Sequence, residues 1–123
     1  MRLFKKYAPA ITVIWALIIL VISVIPGADL PSLSIWEPDK VMHALVYGVL
    51  TILLFFTLQN FYPLRAKNNF LAVGLCILYG FIIELIQLFL PTRSFDMLDA
   101  LANSTGCVLA MAVILVISGK NKA

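Results

Sequence analysis

An all-α protein that crosses a membrane four times is the fold class this sequence predicts, and three observations predict it. Hydrophobic residues fill 63% of the 123 positions and charged residues only 12%, whereas a soluble domain of this size needs charge at about a quarter of its positions to cover its surface. The mean hydropathy is +1.04. The apolar residues fall into four runs, each long enough to cross about 30 Å of hydrocarbon as a helix, and turn formers and charges collect between them. One membrane domain is therefore expected over residues 1–123.

The first span is expected at about residues 7–25, after a basic start that carries Arg2, Lys5 and Lys6. It is long for a signal-peptide core and no A-x-A pattern follows it, so an uncleaved span is the better reading. Pro26 to Pro38 reads as a loop whose Leu30, Leu33, Ile35 and Trp36 lie at the membrane interface. The second span is expected at about 38–59. Glu37 is its candidate cap, Pro38 suits the first helical position, and Asp39 complements the helix dipole. A connection containing Arg65 and Lys67 leads to the third span at about 70–90, which Pro91 closes, and the fourth runs at about 96–117 before a tail with Lys120 and Lys122.

Charge asymmetry orients these spans. Arg2, Lys5, Lys6, Arg65, Lys67, Lys120 and Lys122 fall on one side, against Lys40 and Arg93 on the other. The positive-inside rule then places both termini in the cytoplasm and the 37–40 and 91–99 ends outside. The net charge of +3 does not indicate nucleic acid, because the basic residues mark segment ends and form no stripe with interleaved aromatics. Cys76 and Cys107 lie in apolar runs, have no metal-ligand spacing, and read as small hydrophobes between which a disulfide would have to cross from helix to helix. No cofactor and no metal site are expected.

Spacing gathers the polar residues. Asp39, His43 and Tyr47 share one face of the second span; Gly80, Glu84, Gln87 and Pro91 share one face of the third; Asp99, Asn103, Gly106 and Ala110 share one face of the fourth. Glu84 then lies about 10 Å below the outer end of its helix. Small residues, Ala44 and Gly48 on one helix and Ala102, Gly106 and Ala110 on another, allow close backbone approach. The three faces would meet in an outward-facing pocket that also takes in Lys40, Arg93 and Asp96.

Each polar residue has a plainer reading. Asp39 can serve the helix dipole alone, and Asp96 with Asp99 resembles a capping box. Lys40 can bind lipid phosphates, while His43 and Tyr47 can be interfacial anchors. Arg93 can neutralise Asp96 or Asp99, and Gln87 and Asn103 can be interhelical glue. Glu84 resists such a reading most, because an ionisable group at membrane depth is costly and normally has a partner or a function. His43 is the one side chain here that titrates near neutrality when unperturbed, so His43 and Glu84, with Asp99, are the candidates for proton transfer.

Asp39-Lys40-Val41-Met42-His43, then Glu84-x-x-Gln87-x-x-x-Pro91-x-Arg93, then Asp96-x-x-Asp99-x-x-x-Asn103-x-x-Gly106 resemble, in that order, the motifs of the VanZ-like family of small bacterial membrane proteins. The resemblance covers about residues 10–118. It implies a multi-pass protein of the bacterial cytoplasmic membrane with an envelope role, in a family whose founding member is associated with resistance to the glycopeptide teicoplanin.

The expected function joins these readings. The pocket would bind or modify the head group of a lipid or lipid-linked cell-wall precursor, with Arg93 and Lys40 holding an anion and Asp39, Tyr47, Gln87, Asp96 and Asn103 lining the site. Membrane lipids are the expected partners, and a homo-oligomer is compatible with so few spans. The rival readings are a non-enzymatic scaffold or partner-binding module and a small proton-coupled carrier. Thr51, Thr57 and Ser118 are the main polar groups toward the inner side, which counts against a carrier.

Overall fold

A computed structural model of the protein describes residues 2–25, 38–62 and 67–121. The described residues form α1 (Arg2–Val24), α2 (Pro38–Phe61), α3 (Lys67–Leu88) and α4 (Met97–Lys120), with no strand among them. All four helices are long and apolar enough to cross a membrane, as the sequence predicts. The interfacial loop residues Leu30, Leu33, Ile35 and Trp36, the Glu37 cap, Arg65 and Lys122 lie outside the described residues.

The helix ends follow local chemistry. α1 begins at Arg2, so its basic start is already helical and the helix extends beyond its apolar run. Pro9 sits inside α1 and has no N–H to donate to the Lys5 carbonyl one turn back. Asn60 of α2 donates its Nδ2 to that carbonyl instead, the kind of substitution by a neighbouring helix that makes proline tolerable in a span. α3 ends at Leu88, two residues before the expected end, through two tighter turns: Phe89 N–H donates to Ile86 O and Leu90 N–H to Gln87 O, both at 3.1 Å. Pro91 then disfavours a helical Leu90.

α2 is the central helix. It packs most extensively on α4 and also contacts α1 and α3, whereas α1 meets α3 only lightly. The small residues explain the close α2–α4 contact: a Cβ on Gly106 would fall on the Ala44 carbonyl, and one on Gly48 would lie 3.4 Å from Gly106 O and 3.7 Å from the Ala110 Cβ. Lipid is as apolar as leucine, so packing and interhelical hydrogen bonds must supply the association. Trp15 Nε1 donates to Val46 O at 3.1 Å, the Thr12 and Thr57 hydroxyls meet at 2.8 Å, and the Tyr79 hydroxyl donates to Ala16 O. Outward-facing side chains such as Phe70 and Phe89, each 82% exposed, are left for lipid.

Cys76 of α3 and Cys107 of α4 are more than separate small hydrophobes. Both are fully buried, and their Sγ atoms lie 2.8 Å apart across the helix contact. A membrane-permeant diazene oxidant such as diamide should therefore convert them to an intramolecular disulfide, read by intact mass as the loss of two hydrogens, and Cys107→Ser should prevent it. Oxidation that instead gives disulfide-linked dimers would show that the sulfurs do not meet.

Candidate functional site

The C-terminal ends of α1 and α3 and the N-terminal ends of α2 and α4 meet at one end of the bundle. The last carbonyls of α1 have no donors within their own helix. Arg93 supplies donors at and just past the helix end: its Nη2 donates to Ile22 O at 3.3 Å and to Ile25 O at 3.0 Å, and its Nε to Ile25 O at 3.2 Å. Gln87 Nε2 adds a bond to Ser23 O at 3.1 Å. A cation and an amide assigned from sequence to a ligand thus tie α1 to the bundle.

Asp96 is the next junction. It caps α4, its Oδ1 accepting from Leu98 N–H at 2.8 Å, so the capping reading describes one of its roles. Its Oδ2 accepts from Lys40 Nζ at 3.0 Å, and its backbone N–H donates to Glu84 Oε2 at 3.2 Å. Lys40 also pairs with Asp99 Oδ1. Both cations expected to hold an anion are therefore engaged by groups of the protein.

Asp96 precedes α4 and lies outside the apolar spans. The Lys40 hydrogen bond, then the Leu98 N–H, hold its carboxyl below the usual aspartate range. Stability from a depressed carboxyl is present above the unfolded pKa and lost as pH falls through the folded one. The difference in denaturation midpoint between the protein and Asp96→Asn should thus shrink below about pH 4. With a side chain 41% exposed, Asp96 should contribute less than about 1 kcal/mol through this pair. A difference unchanged between pH 7 and pH 3 would mean that the Lys40 pairing contributes nothing.

Behind this junction lie His43, Glu84, Asp99 and Asn103. Glu84 is 1% exposed and Asn103 2%. His43 Nδ1 and Asn103 Oδ1 are 2.9 Å apart, and His43 Nε2 lies 3.8 Å from Asp99 Oδ2. One donor atom each from His43, Glu84 and Asp99 falls within 4.8 Å of the others. Three helices supply this cluster because the i, i+4 faces read from sequence point inward together.

A cleft of about 340 Å³ borders the cluster, lined by Ile22, Ser23, His43, Gln87, Thr92, Arg93, Ser94, Asp96 and Asp99. Tyr47 is not among its lining residues. It is buried one turn below His43 with Leu50, Cys76, Ile83 and Cys107, its ring 6.5 Å from that of Tyr79, so its placement is that of a core residue. The side chain of Asp39 lies outside the described residues. Sequence reasoning built the site from three helices and missed α1, whose end supplies Ile22 and Ser23 to the cleft. The signal was the span ending at Pro26-Gly27, which leaves carbonyls in need of donors.

Four apolar helices joined through a polar centre at one end define a multi-pass membrane protein. Residues 4–118 match the VanZ/LLP1 family model, and the chain belongs to that family. An uncharacterized protein of the fission yeast Schizosaccharomyces pombe is similar to it, 33% identical over 96 residues. That match covers 77% of this chain and 57% of the relative, so the chain spans little more than half the length of that protein. No solved structure matches.

Proposed function

We propose that the cleft engages the polar head group of a membrane lipid or a lipid-linked envelope precursor, from the side of the membrane opposite both termini. The observation that carries this reading is Glu84: a carboxyl 1% exposed in a chain of this hydropathy, joined by His43 and Asp99, which line a cleft with polar walls while Glu84 lies behind them. The cleft sits where helix ends meet, and the ends of membrane-crossing helices are where head groups lie. In this reading the Thr92 and Ser94 segment receives the head group beside His43 and Asp99. A bacterial cytoplasmic membrane and an altered teicoplanin response are the setting and readout that the VanZ resemblance suggests.

The experiment is lipid analysis of the purified protein. Native mass spectrometry should show one retained lipid class enriched over the bulk membrane, and Glu84→Gln should lose that enrichment while remaining folded. A lipid profile equal to the bulk membrane in both proteins would remove the reading. Reporter fusions should place residue 68 and the C-terminus inside and residue 32 outside.

A scaffold without a ligand is the second reading, favoured by one set of contacts: Gln87 and Arg93 both bond to carbonyls of α1. It predicts a Glu84→Gln protein that keeps its cellular phenotype.

A further inference from the structure

We propose that His43, Glu84 and Asp99 hold a divalent first-row transition metal, with zinc and manganese the ions that this set of one imidazole and two carboxylates suits best. The inference deepens the head-group reading and rests on it for the use of the ion, but not for the ion's presence. Geometry comes first. The three donor atoms lie within 4.8 Å of one another and come from three different helices. Ligands about 2.1 Å from a shared ion are about 3.0 to 3.6 Å apart, so the 3.8 Å between His43 Nε2 and Asp99 Oδ2 is long for a hydrogen bond and close to the spacing of two ligands.

The surroundings match those of a metal ligand set. Asn103 Oδ1 accepts from His43 Nδ1 at 2.9 Å, which fixes the ring and turns Nε2 toward Asp99, the outer-shell arrangement by which ligating imidazoles are usually oriented. Asp99 divides its oxygens: Oδ1 meets Lys40, and Oδ2 faces the imidazole. Glu84 is held by the Asp96 N–H on one oxygen.

Charge and an unanswered donor point the same way. Glu84, Asp96 and Asp99 form a connected group with the single ammonium of Lys40, while the Arg93 guanidinium is bonded to α1 carbonyls. With all three carboxyls ionised, this group of described residues would carry two negative charges beyond the one ammonium, which one divalent ion balances. Independently, Asn103 Nδ2 is buried with no hydrogen-bond partner among the described residues, toward the α3 face that carries Gly80 and, one turn on, Glu84. A buried donor of this kind requires an oxygen, and an ion with three protein ligands brings at least one, as bound water or as a head-group oxygen.

The test uses the full chain in detergent, stripped with a chelator and titrated with Zn²⁺ or Mn²⁺ alone. Calorimetry and elemental analysis should find about one tightly held ion per chain. Glu84→Gln, Asp99→Asn and His43→Ala should each weaken binding by at least about tenfold. Mn²⁺ electron paramagnetic resonance on the unaltered protein supplies a readout that does not depend on variants folding: a spectrum distinct from hexaaqua Mn²⁺ supports the site. Failure to bind either ion, or binding that all three variants retain, overturns it. A protein that binds no ion yet keeps a selective lipid would sink this inference and leave the head-group reading standing, whereas ion binding without any selective lipid would do the reverse.

Discussion

Gly106→Val should leave little folded protein in the membrane. A Cβ at this position would coincide with the Ala44 carbonyl of α2, and backbone cannot swing aside as a flexible side chain can. The α2–α4 pair, the most extensive contact in the bundle, would have to separate and take Gly48 and Ala110 out of contact. Overpacking of a well-packed interface costs about 1–3 kcal/mol and sometimes more, and a β-branched residue against backbone belongs at the upper end. Gly74→Ala and Gly119→Ala are the controls, since no other part of the described residues lies within 4 Å of the added atom at either position. Those two should match or exceed the parent by up to about 1 kcal/mol, because alanine favours helix over glycine. Thermal denaturation in detergent reads all three. Equal midpoints for Gly106→Val and the controls would contradict the close approach of α2 and α4.

Glu84 should separate fold from function through two substitutions. Glutamine keeps an oxygen to accept the Asp96 N–H, so Glu84→Gln should insert and fold while losing the cellular phenotype to the level of a gene deletion. Leucine keeps bulk but leaves that N–H without an acceptor, at about 1–3 kcal/mol, so Glu84→Leu should lose both. Expression level, denaturation midpoint and phenotype, measured together, read the result. A Glu84→Leu protein as stable as the parent would show that the carboxyl does not hold α3 to the start of α4. A Glu84→Gln protein with full phenotype would favour the scaffold reading.

Much of this was legible in the sequence, for identifiable reasons. Four apolar runs gave four helices, and the i, i+4 rule brought His43, Glu84, Asp99 and Asn103 toward one centre. The small residues marked the α2–α4 contact correctly. What periodicity cannot give is which partner a polar group finds. Arg93 and Lys40 looked like anion holders because charge at a membrane boundary is ambiguous; one is bonded to carbonyls of α1 and the other to two aspartates. Tyr47 shares the His43 face, yet one turn farther along the helix it is already in the core. Cys76 and Cys107 carried no spacing signal, because their meeting depends on the relative rotation of α3 and α4.

The central position of α2 bears on how the molecule is made. Its most extensive partner, α4, emerges last during synthesis. Until then His43 lacks Asn103 and Asp99, and Glu84 lacks the Asp96 N–H. A nascent chain halted after its third hydrophobic segment would present an unsatisfied acid to lipid, a species for quality-control proteases to remove.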